Sequence, residues 1–411
     1  MSFTRTLASV LIGALALANG ILAPVVTAQV ISDSGELVIA GGRNQSLGRH
    51  LKNQALVDET ASRIKSISGD GPGVWAYEWR LLGEEYEKRG DKLAEEGKPE
   101  EAFAAYGQAM SLYRHGYLPD NFTPAERKSY GRFRDIKLKM NEYLDTPFEV
   151  VRVPFEGHEI VVHLYRPQGV EKPPLVIYTG GVDGSKENAE PMSQLLPEAG
   201  IAMAAFDLAG TGESMDWLAR PDSHKLHKRL IDYFSETGNF DNTRIGLWGG
   251  SFGGYYAIRM AADDPRIKAV VNYCGLVHSA FQIPPQAMKA ALQSETGPLL
   301  RSSLRRMGFD PDDFDVDEFM EFVIADPFSL LDAGVVGTVK ETIDVPMLIV
   351  NGGRDAVVSM DDMKLVEAEA SQSEMWVLGI DPHCAPRYSQ IVQPQAVTWL
   401  VEQLMADDPS Q

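Results

Sequence analysis

Apolar positions change their spacing twice along this chain, and the changes divide it. Residues 29–73 are mostly polar, with one short helical pattern at 56–67 and a break at Gly69-Asp70-Gly71-Pro72-Gly73, which reads as a leader or linker. From Trp75 to Tyr143 apolar residues recur at helical intervals: Trp79, Leu82, Tyr86 and Leu93, then Ala102, Ala105, Tyr106, Ala109 and Tyr113. That period predicts an antiparallel helix pair turning at Glu96-Gly97-Lys98-Pro99. The pair looks like one tetratricopeptide-type hairpin. A solenoid needs about three such units to bury its faces, so a helical cap over 74–146 is the expectation instead.

Past Pro147 short apolar runs alternate with helical stretches. Strands are predicted at 148–153, 160–165, 175–178, 202–206, 245–248, 267–273, 347–350 and 375–378. Two hairpin-like strands followed by strand and helix alternation imply a mostly parallel sheet covered on both faces, within a catalytic domain at 147–408. An insertion at about 276–340, with helices at 286–293, 300–307 and 316–324, emerges over the C-terminal strand edge where such sheets build their sites. Its acidic run, residues 310–318, fails the calcium-loop pattern. Glu318 stands where glycine is needed and Ile324 where the bidentate glutamate belongs, so a negatively charged helix start is expected and no metal.

The 411 residues are 44% hydrophobic and 23% charged, as in ordinary globular proteins. Lys and Arg number 38 against 58 Asp and Glu, a net charge of -20 without a basic cluster. Nucleic acid and anionic membrane surfaces are thereby poor partners. Arg5, the apolar run 7–18 and Val26-Thr27-Ala28 describe a secretory signal peptide cut after Ala28. The mature protein is expected to be exported, periplasmic or secreted, with no stable membrane insertion. Two cysteines, Cys274 and Cys384, make no disulfide scaffold; two separate buried thiols are expected, with pairing open in an oxidising compartment.

The chemistry concentrates at Gly249-Gly250-Ser251-Phe252-Gly253, where a strand pattern enters and a helical one leaves. A serine on such a turn is held strained with its hydroxyl exposed, and the Phe252 N–H can donate to an oxyanion. A base and an orienting carboxylate are then required. Downstream of Ser251 there are only two histidines. His383, in the loop after the last strand, is the expected base, and His278, at the start of the insertion, is expected to line the pocket. Asp355, just past the penultimate strand, is the expected acid, and Asp381 its rival. The order Ser251, Asp355, His383 is that of the α/β-hydrolase fold. Val182 or Gly181, in the glycine loop after the third strand, is expected to supply the second oxyanion donor, with Asp183 and Glu213 on the pocket wall. This chemistry calls for no cofactor.

Trp75-x-x-Glu78-Trp79, Gly180-Gly181-x-Asp183-x-Ser185-Lys186-Glu187, Gly249–Gly254 and Asn351-Gly352-Gly353-Arg354-Asp355 together resemble the FrsA-like α/β-hydrolases over residues 74–405. The resemblance implies a hydrolase acting on a small acyl substrate. That family holds simple esterases, and also pseudooxynicotine-type and fungal pigment-precursor hydrolases that cleave carbon–carbon bonds beside a ketone. The signal-bearing N-terminus departs from its cytoplasmic members. The segments around Ser251 and Asp355 are also similar to prolyl oligopeptidases, but the upstream β-propeller of that group has no counterpart here. A non-catalytic binding protein using the hairpin is a third reading, opposed by the intact Ser251, Asp355 and His383. A homodimer is left open.

Overall fold

The computed structural model describes residues 30–31, 37–38, 41–67, 69–118, 121–282, 284–292, 297–338 and 343–406; the expected signal peptide lies outside them. After the two-residue strands Val30–Ile31 and Leu37–Val38, which pair antiparallel, come five helices. These are α1 (Gly41–Leu51), α2 (Gln54–Arg63), α3 (Trp75–Glu95), α4 (Pro99–Tyr117) and α5 (Pro124–Asn141). The pair α3 and α4 is the expected hairpin, and it packs tightly. A Cβ on Gly83 or Gly90 would overlap the rings of Tyr113 and Tyr106.

Two parts of this helical region exceed what periodicity suggested. The stretch read as a leader holds α1 besides α2, which answers to the helical pattern expected at 56–67, and their Leu47, Leu51 and Val57 bury against Trp75, Trp79 and Leu112. Two leucines four apart are too thin a stripe to register as a pattern. The other addition is α5, which had a legible start in Thr123-Pro-Ala-Glu126. The Thr123 hydroxyl accepts from the Glu126 N–H at 3.3 Å and the Glu126 carboxylate from the Thr123 N–H at 2.8 Å, closing a capping box behind a proline at the first turn. It buries Tyr130, Phe133 and Ile136 with Tyr113 and Tyr117 of α4.

The catalytic part opens with three strands in succession and then alternates helix and strand: β1 (Phe148–Phe155), β2 (His158–Tyr165), β3 (Leu175–Thr179), α6 (Met192–Glu198), β4 (Ala202–Phe206), α7 (Lys225–Thr237), β5 (Ile245–Gly250), α8 (Phe252–Asp263) and β6 (Ile267–Tyr273). The insertion carries α9 (Pro285–Leu292), α10 (Gly297–Met307) and α11 (Val316–Ala325). Then come β7 (Ile343–Gly352), α12 (Met360–Glu369), β8 (Ala370–Leu378) and α13 (Ser389–Met405). The eight strands lie in the order β1-β2-β4-β3-β5-β6-β7-β8. The pairs β1/β2 and β2/β4 are antiparallel and the others parallel.

Residues of β3 and β4 are buried throughout, as strands with helices on both faces must be. On one face Leu230 and Phe234 of α7 and Tyr255 of α8 pack on Phe206 and Leu247. On the other, Leu196 of α6 and Leu400 of α13 pack on Trp248 and Leu348. The chain order reverses around β3, with β4 on one side and β5 on the other, which opens a crevice above their C-terminal ends.

The insertion has its own small core of Met288, Leu304 and Phe319, and it reaches the main core through Met307 and Phe322. Asp315 caps α11 by accepting from the N–H groups of Asp317 at 2.8 Å and Glu318 at 3.2 Å, which accounts for the acidic run as a helix start. Among the described residues no helix is long and apolar enough to cross a membrane.

Candidate active site

Ser251 is the single residue between β5 and α8, and it turns the chain at φ 51°, ψ −117°. A residue with a Cβ is strained there, so the surrounding contacts must hold it. Its N–H donates to the Tyr273 carbonyl at 2.8 Å, which ties the turn to the end of β6. Two residues on, a Cβ at Gly253 would overlap the carbonyls of Gly180 and Thr179, so glycine alone lets α8 begin this close to the loop after β3.

The structure brings the three expected side chains together. The Ser251 hydroxyl lies 2.9 Å from His383 Nε2, and His383 Nδ1 lies 2.6 Å from Asp355 Oδ2. With Nδ1–H donated to the carboxylate, Nε2 is left to accept the serine proton. The Asp355 side chain is 1% exposed and its acceptors are filled. Oδ1 takes the N–H groups of Val357 at 2.6 Å and Val358 at 3.1 Å, while Oδ2 also takes Asn351 Nδ2 at 2.8 Å. Burial pushes this carboxyl up, but the His383 ring and the two backbone N–H groups outweigh it and hold the acid below its usual range. The rival, Asp381, is engaged elsewhere: it pairs with Arg387 Nε at 2.6 Å and accepts the Arg387 N–H at 2.9 Å.

Sequence reasoning passed over Asn351, which is fully buried near the end of β7. Its amide nitrogen holds Asp355, and its carbonyl oxygen accepts from Gly352 N at 2.8 Å and Cys384 N at 3.3 Å. One side chain thus links the loops of the acid and the base. The signal was available in the Asn351-Gly-Gly-Arg-Asp355 run, four residues ahead of the acid. The cysteines need a correction: they are not separate thiols but form a disulfide, with Cα atoms 5.0 Å apart across 110 residues. Among the described residues Cys274, His383 and Cys384 are close enough together to suggest a metal site, but both sulfurs are committed to this bond.

The loop 180–184 lies against the serine: a Cβ on Gly181 would come within 2.9 Å of Ser251 Cβ. The loop is a tight turn, with Gly184 N donating to the Gly181 carbonyl at 3.0 Å. Phe252, as the first residue of α8, has no carbonyl one turn earlier for its N–H. Both segments expected to supply oxyanion donors therefore flank Ser251. Asp183 is exposed at the far end of the loop, where Arg114 Nη2 donates to its carbonyl at 3.4 Å. A small cleft runs past it, lined by Tyr117, Asn121, Val182, Asp183, Thr211 and Arg306, so the cap, the glycine loop and the insertion all border it. The Glu213 carboxylate is taken up by Lys186 Nζ at 2.8 Å and Arg134 Nη1 at 3.3 Å. His278 is half-buried and its Nδ1 lies 2.7 Å from the Ser329 hydroxyl.

An elbow serine with a histidine and an aspartate placed after later strands of a mostly parallel sheet defines the α/β-hydrolase class of enzymes. Within that class, the model of the esterase FrsA-like family matches residues 57–405, and the chain belongs to that family. It is 25% identical to the esterase FrsA of Photobacterium profundum over 362 residues, 85% of this chain and 82% of that one. It is 28% identical to the 2,6-dihydropseudooxynicotine hydrolase of Paenarthrobacter nicotinovorans over 205 residues; the match spans 49% of this chain and 55%, just over half, of that relative. Among solved structures, a 2,6-dihydroxy-pseudo-oxynicotine hydrolase matches with a TM-score of 0.66 at 22% identity, covering 82% of this chain and 91% of the other. Wild-type AbyA5 matches with a TM-score of 0.69 at 21% identity, covering 91% and 96%. At these identities the two structures are alike in fold.

Proposed function

We propose that this hydrolase cleaves a small carboxylic ester through an acyl-enzyme, with Ser251 as nucleophile, His383 as base and Asp355 as its orienting acid. The observation that carries the reading is the unbroken line from Ser251 Oγ to His383 Nε2 at 2.9 Å and from His383 Nδ1 to Asp355 Oδ2 at 2.6 Å. In this reading Oγ attacks the ester carbonyl as its proton passes to Nε2. The resulting oxyanion accepts from the N–H of Phe252 and from that of Val182 or Gly181, each such donor contributing about 10²–10³ in rate. The imidazolium, stabilised by Asp355, then protonates the leaving oxygen, and a water repeats the sequence to release the acid. No cofactor takes part.

Cleavage of a carbon–carbon bond beside a ketone is the second reading, and kinship with a dihydropseudooxynicotine hydrolase favours it over peptide hydrolysis. The same residues would serve, with an enolate leaving in place of an alkoxide. Export belongs to this proposal as well. It is supported by the pattern of residues 1–28 and by a disulfide of the kind that persists in oxidising compartments.

The test is labelling by a fluorophosphonate together with turnover of a panel of esters and β-diketones. We expect one label per chain, lost in Ser251→Ala, and turnover lowered by about 10⁴-fold or more in that variant. Release of an alcohol or of a ketone decides between the two bond types. A folded wild-type protein that takes no label and turns over no member of the panel would sink the proposal.

A further inference from the structure

We infer that the Cys274–Cys384 disulfide is a positioning device for His383, making the reaction conditional on oxidation of this one bond. The inference rests on the proposed role of His383 as base.

Cys384 follows His383 directly, so a bond at its sulfur restrains the backbone that carries the imidazole. The other end of the bond is anchored where the nucleophile is anchored. Cys274 comes just after Tyr273, whose carbonyl accepts the Ser251 N–H at 2.8 Å, and its own N–H donates to the Val350 carbonyl at 2.7 Å. The covalent link therefore sets the distance between the two loops whose side chains must meet at Ser251 Oγ and His383 Nε2.

The rest of the His383 loop needs that restraint. Cys384 and Ala385 both sit at positive φ, 61° and 45°, where residues with a Cβ are strained and persist only if held. Hydrogen bonds hold the two flanks of the loop, from Arg354 N to the Asp381 carbonyl at 3.0 Å and from Ala385 N to the Pro382 carbonyl at 2.9 Å, but at Cys384 itself the backbone is tied to β7 by the bond to Asn351 Oδ1, long at 3.3 Å. Freed of the disulfide, the loop can relax toward ordinary backbone angles and carry the ring off the serine. A displacement of about 1 Å is enough to cost on the order of 10²-fold in rate. The sulfurs need no contact with substrate for this.

Reduction is chemically simple. Cys384 is partly exposed while Cys274 is buried, so a dithiol attacks the Cys384 sulfur, expels the Cys274 thiolate and closes to its own cyclic disulfide. Two electrons and two protons pass from the reductant to the pair, leaving two thiols. The chain has only these two cysteines, so any effect of a dithiol on the protein arises here.

The experiment compares the full chain, oxidised and after treatment with dithiothreitol, for ester turnover, for the rate of Ser251 labelling and for circular dichroism at the assay temperature. We expect reduction to lower kcat and the labelling rate about tenfold or more, to leave KM within about twofold, to leave the dichroism spectrum in place, and to be reversed by reoxidation. A Cys274→Ser/Cys384→Ser double variant should match the reduced enzyme and ignore the dithiol. Retention of more than a third of kcat on reduction overturns the inference. So does a loss confined to KM, and so does loss of activity together with the folded spectrum, which would make the bond a general staple. An oxidised enzyme that neither labels nor turns over esters refutes the triad reading itself and removes this inference with it.

Discussion

Two polar networks border the glycine loop after β3, one around Ser251 and one around Lys186, and both join a nitrogen base to carboxylates. In the first, one imidazole meets one carboxylate and one hydroxyl, and the ring stays 27% exposed. In the second, the Lys186 ammonium is fully buried and meets Glu187, Asp207 and Glu213, each at 2.8 Å. Burial alone would drive the proton off Lys186, but the three carboxylates outweigh it and hold the cation charged. Burial likewise raises Glu187, yet Lys186 outweighs it and takes the acid down to about 2; at Asp207 burial prevails and the acid is raised. Tyr130 and Arg134 of the cap join this cluster, so it fastens the cap to the strand edge. The lesson is that saturation, rather than residue type, separates chemistry from structure. The Lys186 network has its charges answered internally, whereas the Ser251 network keeps a hydroxyl and a ring nitrogen facing the crevice.

Disabling one network at a time tests that contrast. Asp355→Asn removes the charge that orients His383, and kcat should fall about 10⁴-fold while the protein stays folded at the assay temperature. A rate within about tenfold of wild type would break the open side of the comparison. Lys186→Met should act on the opposite quantity. It strands Glu187 and Asp207 in the interior without their cation, and urea unfolding should show a loss of about 3–5 kcal/mol. A variant as stable as wild type would mean that the closed network is not holding the cap.

How much of each network could be read in advance follows from the same contrast. Ser251, Asp355 and His383 each stand past an apolar run that forms a strand, and their chain order matches one fold, so local pattern was enough to single out three side chains that the fold brings within hydrogen-bond distance. Lys186-Glu187 stood in the sequence as part of a family-like motif, with no role that local pattern could assign. Its meaning depends on Asp207 and Glu213, brought to it only when β3 and β4 pair side by side. The disulfide was left open for a related reason: Cys274 and Cys384 both follow strands at the same edge of the sheet, but nothing in a separation of 110 residues says that the residue after β6 will meet the loop after β8. Asn351 escaped because its role needs both ends of its amide, one toward Asp355 and one toward Cys384. The glycine loop was legible as a neighbour of Ser251; its other neighbours, the cap and the insertion, were not, because periodicity gives helices and not the way they lean on a sheet.

Acid titration sharpens the closed side. Glu187 has its ordinary value of 4.5 in the unfolded chain and about 2 in the fold. Its contribution is therefore fully present above pH 4.5 and is lost as pH falls through 2. Measured as the difference in unfolding free energy between wild type and Glu187→Gln, this contribution should be of order 3 kcal/mol near pH 6 and clearly smaller near pH 3. The buried histidines His163 and His227, both lowered to about 3 by burial, also destabilise the fold as pH drops below 6.5; His227 does so equally in both proteins and cancels, whereas His163, which the Glu187 charge raises, is held lower still in the variant, a difference that enters only near pH 3 and below. A difference that stays flat between the two pH values would show that Lys186 does not hold Glu187 as a charged pair.

The smallest effect falls on the residue that could belong to either network. Glu213 stands in the glycine turn after β4, where the sequence suggested a pocket wall, and its carboxylate bridges buried Lys186 and half-exposed Arg134. If it is a member of the closed cluster, Glu213→Gln removes one of three carboxylates around an ammonium that keeps the other two. The side chain is 16% exposed, so water takes up part of the loss. Urea unfolding should then show a cost of about 1 kcal/mol, with kcat and KM for a good ester within about twofold of wild type. A rise in KM of about fivefold, close to 1 kcal/mol of lost binding, with stability unchanged, would place Glu213 against the substrate and make the Lys186 cluster part of the pocket wall. In that case the two networks would be one, and the cap would sense the substrate through the charges that hold it down.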